Sequence, residues 1–153
     1  MWESIFYSLK YNIKNFAHKD FEFVNLFFLE NYESHLKCGI IDFQSALLGF
    51  IGWDLLSLLE NPRINFTRDY NDKLIEYFFD NIPIIENLNT FREQYYVLNL
   101  ARQTRLLGRW RKLLSTNNDN QYLDYLKITK SRIAVTLNNI KNYELRAIYE
   151  KYL

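Results

Sequence analysis

The feature that most restricts the fold of this chain is a pair of short polar blocks that lie on either side of two apolar segments. Asn25 closes the first block, and Asp42 lies in the second. The intervening segments, Leu26–Glu30 and Leu36–Ile41, are rich in β-forming or apolar residues and flank a polar turn. This pattern predicts a small β-hairpin that brings Asn25 and Asp42 together at one edge.

The first block, H-K-D-F-E-F-V-N, has the H-x-D-x-x-x-x-N spacing of a kinase catalytic loop. In such a loop the Asp accepts the proton of the attacking hydroxyl and the Asn holds magnesium, and these residues are Asp20 and Asn25 here. Asp42 follows where such enzymes place the Asp that links metal to nucleotide phosphates. Magnesium prefers hard oxygen ligands of this kind. The alternative is that all three are turn-forming residues between strands.

Three further motifs extend the pattern beyond the loop. They are G-I-I-D-F-Q-S-A (Gly39–Ala46), G-F-I-G-W-D-L-L-S-L-L (Gly49–Leu59) and R-Q-T-R-L-L-G-R-W-R-K-L (Arg102–Leu113). Together with the loop, they resemble the aminoglycoside phosphotransferase-like family, and in particular its bacterial N-acetylmuramate/N-acetylglucosamine 1-kinases. The resemblance covers almost the whole chain, but only about the C-terminal half of the family's proteins.

The resemblance implies a fold and an activity. The expected fold is α+β and mostly helical, equivalent to the C-terminal lobe of a protein-kinase-like fold, with residues 1–153 as a single domain and the metal site on the hairpin. The implied activity is transfer of the γ-phosphoryl group of ATP to a sugar or amino-sugar hydroxyl, with Asp20 as base and with Mg²⁺ held by Asn25 and Asp42.

No Gly-rich loop and no Lys-Glu pair for the phosphates is found in the sequence, so the N-terminal nucleotide-binding lobe is expected to be absent. We therefore expect a truncated or split kinase that is inactive as an isolated chain, with a separately encoded N-lobe as its partner. Two alternatives stay open, which are a catalytically inactive fragment and a protein-binding module that keeps the fold.

Two residues are expected to support the loop. Asp54 resembles the family's structural Asp, which braces the catalytic loop through backbone amides; the other reading is a first-turn carboxylate favoured by the helix dipole. His18 is expected to pack and to hydrogen-bond, because no second His or Cys stands at metal-ligand spacing. The sequence leaves the substrate-binding residues unidentified.

The chain departs from the family pattern around the expected acceptor pocket. Where the family usually has a second His followed by small or basic residues, this chain has Glu22, Phe23 and Val24. Ser45 replaces an acidic residue, and Phe50 replaces a proline. These differences change the shape and charge of the pocket and leave the proposed base and metal ligands in place.

Composition narrows the classes of partner. The formal charge is +1 and no block of like charge occurs, which argues against nucleic acid and anionic membrane as partners. The longest apolar region is interrupted by Asp42 and Asp54, so no membrane span is expected. The single cysteine, Cys38, is expected to be a buried thiol in a cytoplasmic protein. An aromatic content of 18% indicates a Tyr- and Phe-rich helical core or, alternatively, an exposed partner surface.

Apolar periodicity and helix-ending residues predict six helices: Trp2–Tyr11, Trp53–Leu59, Thr67–Asn81, Asn87–Ser115, Gln121–Asn138 and Tyr143–Tyr152. A short extended segment is expected over Ile13–Ala17. Basic residues recur along the fourth helix at steps of three or four: Arg102, Arg105, Arg109 and Lys112. This stripe is expected to be a solvated face, although it could meet an anionic group.

Overall fold

Helices make up most of the regular structure, and four short strands lie between Lys14 and Phe50. The computed structural model describes Trp2, Glu3, Ile5 and residues 14–64, 66–82 and 87–152. The strands are β1 (Lys14–Ala17), β2 (Leu26–Phe28), β3 (Cys38–Ile40) and β4 (Leu47–Phe50). The helices are α1 (Trp53–Leu59), α2 (Arg68–Asn81), α3 (Leu88–Asn117), α4 (Gln121–Asn138) and α5 (Tyr143–Tyr152). The fold is thus mostly helical α+β, as predicted.

The strands form two small antiparallel pairs. β2 pairs with β3, with Leu26 opposite Ile40. This is the predicted hairpin, with shorter strands. β1 pairs with β4, with Phe16 opposite Leu48. The sequence did not predict β4, because a segment of four residues that includes a glycine carries little strand signal of its own.

The helices follow their sequence signals closely. α2 begins after Thr67, whose hydroxyl accepts a hydrogen bond from the Tyr70 amide at 3.3 Å. Such a cap satisfies one of the amides that a helix start leaves without an intrahelical partner. α1 ends at Leu59, just before the Asn61-Pro62 pair, since the residue before a proline is disfavoured in helical conformation. The helix predicted over Trp2–Tyr11 lies mostly outside the described residues.

Backbone contacts divide the chain into two compact units. The first unit contains residues 1–61 and 66–88, and the second contains residues 62–65 and 89–153. In the first unit, Leu56, Leu59 and Ile75 are almost completely shielded from solvent. Burying an aliphatic side chain of this size contributes about 1.5–3 kcal/mol, so these residues anchor α1 and α2.

The second unit has an aromatic core with a buried polar link. Tyr95 lies edge-on to Tyr96 with ring centroids 5.6 Å apart, and both rings are buried. Asn99 on α3 donates a hydrogen bond to the hydroxyl of Thr136 on α4 at 2.9 Å, and it accepts one from Gln103 at 3.0 Å. All three polar residues are buried, so their mutual hydrogen bonds offset the cost of removing them from water.

Two sequence-based expectations about exposure are wrong. Cys38 is exposed. It begins the second strand of a two-stranded hairpin, and its strand partner Phe28 and the preceding residue Lys37 are exposed as well. Arg102 is buried and therefore does not share the solvated face of Arg105 and Arg109. Arg102 was assigned to the basic stripe because it lies three residues before Arg105. The buried face of α3, however, is wide enough to include Arg102.

The second unit carries a tyrosine whose ionisation is coupled to folding. Burial raises the pKa of the Tyr149 hydroxyl above 10.0, although its hydrogen bond with Thr104 partly lowers it. Since the unfolded chain ionises first, the free energy of unfolding should fall as pH rises from 10.0 through the folded-state pKa. Tyr149→Phe should remove this component. Urea unfolding of the wild type and of Tyr149→Phe between about pH 9 and about pH 11 measures this pH dependence of stability. Parallel pH profiles of the two proteins would contradict the prediction.

Candidate active site

The loop that contains Asp20 connects β1 to β2 and is shaped by its own backbone. The amide of Glu22 donates to the carbonyl oxygen of Asp20 at 2.8 Å, and the amide of Asn25 donates to the carbonyl oxygen of Glu22 at 2.9 Å. Residues Phe23–Asn25 form a single 3₁₀ turn that leads directly into β2. The turn therefore lies between Asp20 and β2, with Asn25 at its end.

Asp54, at the start of α1, holds the first part of this loop. Its carboxylate accepts hydrogen bonds from the amides of His18 at 2.8 Å and Lys19 at 3.0 Å. Lys19 has a φ of 72°, in the left-handed region, which costs a residue with a side chain about 1–2 kcal/mol. Two charge-assisted hydrogen bonds can offset that cost. Lys19, the strained residue, immediately precedes Asp20. Asp54 therefore fixes the backbone directly before Asp20.

His18 links the loop that contains Asp20 to the segment that carries Asp42. The side chain is only 3% exposed, and its Nε2 lies 2.9 Å from the carbonyl oxygen of Ile41. Because a carbonyl oxygen can only accept, the hydrogen bond assigns a proton to Nε2. The ring also lies edge-on to Phe21, with centroids 6.1 Å apart. His18 thus joins the two polar blocks through packing and one hydrogen bond.

Asn25 and Asp42 lie at the same end of the hairpin. The amide of Ile41 donates to the carbonyl oxygen of Asn25 at 3.1 Å, which extends the β2–β3 pairing by one step. The side-chain nitrogen of Asn25 donates to the carbonyl oxygen of Asp20 at 2.8 Å. That contact uses the nitrogen and leaves the side-chain oxygen of Asn25 available as a ligand. Asp42 is exposed, and its Oδ1 accepts from Gln44 at 2.7 Å.

Two residues at this site have a left-handed backbone conformation. Within the described ranges, four residues other than glycine have a positive φ: Lys19, Ser34, Asp42 and Asn118. Lys19 precedes Asp20, and Asp42 has a φ of 71°. Such conformations persist only where the surrounding structure enforces them, and they cluster at functional sites.

The donor atoms suit a hard cation that is completed by other oxygens. In the part of the chain that the structure describes, no group of three His, Cys, Asp or Glu side chains could hold a metal ion. Asn25 and Asp42 offer amide and carboxylate oxygens, which fit Mg²⁺. Magnesium is usually bound by one or two protein groups together with substrate phosphates, so this small set fits a site of that kind.

The structure joins most of the predicted residues into one arrangement. Asp20 and Asn25 share a hydrogen bond, Asn25 is paired through the backbone with the residue before Asp42, and Asp54 holds the backbone at His18. The contact of His18 with the Ile41 carbonyl and the strain at Lys19 could not be found from sequence. Backbone strain and contacts between distant segments produce no residue spacing that could be recognised in the sequence.

Several large apolar side chains of the first unit are exposed. Phe16 and Leu48 face each other across β1 and β4 and are 65% and 70% exposed. Phe28 on β2 and Phe43, next to Asp42, are also largely exposed. Exposed apolar side chains of this size, such as the Phe16 and Leu48 pair, are candidates for contact with a ligand or partner. None of the helices among the described residues is long and apolar enough to cross a membrane.

Two characterised kinases have sequences similar to this chain. The N-acetylmuramate/N-acetylglucosamine kinase of Caulobacter vibrioides is 24% identical over 138 residues, which cover 90% of this chain and 38% of that protein. The protein of the same name from Neisseria meningitidis serogroup B is 25% identical over 133 residues, covering 79% of this chain and 38% of the relative. No family model matches the chain.

These matches confirm the resemblance to N-acetylmuramate/N-acetylglucosamine kinases that the motifs indicated. The chain spans 38% of the length of each of these relatives.

Proposed function

We propose that this chain supplies the catalytic and metal-binding part of an ATP-dependent phosphotransferase that acts on a hydroxyl group of an amino sugar. The observation that carries the proposal is the braced loop, in which Asp54 holds the two amides that precede Asp20. A phosphoryl-transfer enzyme works mainly by positioning and by electrostatic stabilisation, so a rigid backbone at the base is a functional requirement. The names of the two relatives supply the substrate class.

Asp20 is the proposed general base. Its carboxylate makes no hydrogen bond or ion pair within the described residues, so it can accept the proton of an acceptor hydroxyl. As that proton moves to Asp20, the hydroxyl oxygen forms a bond to the γ-phosphorus of ATP, and the bond between this phosphorus and the bridging oxygen of ADP breaks. His18 and Asp54 position the loop and do not touch the reacting atoms.

The side-chain oxygens of Asn25 and Asp42 are the proposed ligands of Mg²⁺. A bound Mg²⁺ offsets the negative charge of the transferring phosphoryl group. The side-chain nitrogen of Asn25 is occupied by the carbonyl oxygen of Asp20. Asn25 therefore presents its side-chain oxygen as a ligand and ties the proposed metal site to the backbone of the proposed base.

The nucleotide requires groups that this chain does not offer. The given sequence has no Gly-rich loop that could cover the phosphates, so the proposed enzyme uses a nucleotide-binding lobe that is either encoded separately or fused ahead of Trp2. The exposed apolar side chains Phe16, Leu48 and Phe43 would lie against that lobe and the purine. The same exposed surface favours a second candidate, in which the chain is a noncatalytic module that binds a protein partner.

Calorimetric titration of ATP and Mg²⁺ distinguishes the two candidates. The chain alone should show no tight binding, whereas the chain assembled with the N-lobe of a related amino-sugar kinase should bind ATP and phosphorylate N-acetylglucosamine. The N-lobe alone is the control. Micromolar binding by the chain alone would contradict the need for a second lobe. A verified assembly that neither binds ATP nor transfers phosphate would favour the noncatalytic module.

A further inference from the structure

Three aromatic side chains form a continuous row beside the catalytic loop. Phe23, in the turn after Asp20, contacts Phe66 with ring centroids 5.9 Å apart, and Phe66 contacts Tyr70 on α2 at 5.2 Å. All three belong to the first unit. Phe23 and Tyr70 remain 47% and 48% exposed, so each keeps a ring surface in solvent. We call these three residues the aromatic row.

The position of the row relates it to the acceptor. Phe23 is the third residue after Asp20, and three residues span at most about 11 Å even when fully extended. Here the hydrogen bond from the amide of Glu22 to the carbonyl oxygen of Asp20 bends this segment and shortens that distance. Asn25, at the other end of the turn, is directed to the hairpin and the proposed metal site. The Phe23 end of the row therefore lies close to the backbone of Asp20.

The chemistry of the row suits a sugar ring. The face of an aromatic ring carries partial negative charge, and it attracts the partially positive C–H groups on the apolar face of a pyranose. An aromatic surface of this kind binds rings without requiring hydrogen bonds, while the neighbouring carboxylates can accept hydrogen bonds from sugar hydroxyls.

The charges around the row favour a neutral ligand. The segments that carry the row, residues 18–25 and 66–72, contain more acidic than basic residues: Asp20, Glu22, Asp69 and Asp72 against Lys19 and Arg68. Arg68 is itself paired with Glu60 at 2.7 Å and Asp72 at 3.0 Å. Such surroundings repel a carboxylate or a phosphate group on the ligand.

We propose that the aromatic row is the acceptor-binding surface of the phosphotransferase and that it takes a neutral N-acetylated pyranose in preference to a sugar acid. This inference rests on the proposed function and adds its substrate-binding residues. Phe23 is a position at which the chain departs from the small or basic residues of the family pattern. The row is therefore a feature of this chain's own sequence.

NMR titration of the chain with N-acetylglucosamine and with N-acetylmuramate tests the proposal. N-acetylglucosamine should shift the aromatic signals of Phe23, Phe66 and Tyr70, and N-acetylmuramate should bind more weakly. Phe23→Leu keeps the apolar volume but removes the ring face, and it should weaken N-acetylglucosamine binding about three- to tenfold. Tyr77→Ala, an exposed tyrosine farther along α2, is the matched control and should leave binding unchanged.

The outcomes separate this inference from the proposed function. Shifts centred away from the row, no shifts up to the solubility limit of the sugar, or stronger binding of N-acetylmuramate would each overturn the inference. An active assembly in which Phe23→Leu leaves KM for the sugar unchanged would also overturn it, with the phosphotransferase function intact. Sugar shifts at the row in an assembly that transfers no phosphate would support the row and reject the function.

Discussion

Asp20→Asn is expected to lower the turnover of the assembled phosphotransferase by about a hundredfold to ten-thousandfold, the usual effect of losing a general base. Asparagine keeps the size of the side chain but cannot accept the proton of the acceptor hydroxyl. The hydrogen bonds that shape the loop at this residue involve its backbone oxygen. This oxygen accepts hydrogen bonds from the Glu22 amide and from the side-chain nitrogen of Asn25, so both bonds survive the substitution. Folding should therefore be unchanged.

The measurement is the steady-state rate of phosphate transfer to N-acetylglucosamine, together with a thermal melt followed by circular dichroism. Asp80→Asn, which removes an exposed carboxylate from α2, is the matched control and should keep full turnover. An Asp20→Asn protein with a wild-type melt and undiminished turnover would show that Asp20 is not the base. A loss of turnover together with a lower melting temperature would indicate a structural role for Asp20.

Asp54→Ala is expected to lower the free energy of unfolding of the first unit by about 2–4 kcal/mol, because the amides of His18 and Lys19 lose a charged acceptor. Turnover of the assembly should also fall by about a hundredfold, since Lys19 can then leave its left-handed conformation and displace Asp20. Asp54 acts on the reaction only through the loop, so this residue is a positioning residue.

Urea unfolding and NMR amide shifts measure the two effects of Asp54→Ala. Asp69→Ala removes the corresponding first-turn carboxylate from α2 and serves as the control. It should cost only about 0.3–1 kcal/mol, the usual contribution of a charge near a helix start. Lys19→Gly in the Asp54→Ala background should recover part of the lost stability, because glycine adopts a positive φ without strain. Equal losses of stability in Asp54→Ala and Asp69→Ala would contradict the loop-holding role. They would show that Asp54 contributes only as a carboxylate near a helix start.

The residues proposed to carry chemistry were all identified from sequence. The spacing of Asp20 and Asn25 and the apolar run before Asp42 are local patterns, and local patterns survive without tertiary information. Helix positions could also be predicted. α4 and α5 begin and end where the sequence predicted, because apolar periodicity and the polar residues between helices determine the bounds of each helix.

Exposure was less predictable than secondary structure. Cys38 follows an apolar pattern but lies in an exposed hairpin, and Arg102 belongs to a basic stripe but is buried. Aromatic side chains occur both in the core and on the surface, since Phe91 and Tyr95 are buried in the second unit while Phe16 and Phe43 are exposed in the first. Whether a side chain is covered depends on which element packs over it, and no periodicity within one segment records that.

The sequence by itself determined the order of the polar groups and the type of most secondary-structure elements, with β4 as an exception, because both depend largely on residues close together in the chain. Only the tertiary structure decided that Asp54 reaches the amides of His18 and Lys19, that His18 meets the carbonyl oxygen of Ile41, and that Phe23 meets Phe66. These contacts join segments far apart in sequence, and their formation depends on the packing of the whole unit. For that reason the positioning of the proposed base and the aromatic row became visible only in the folded chain.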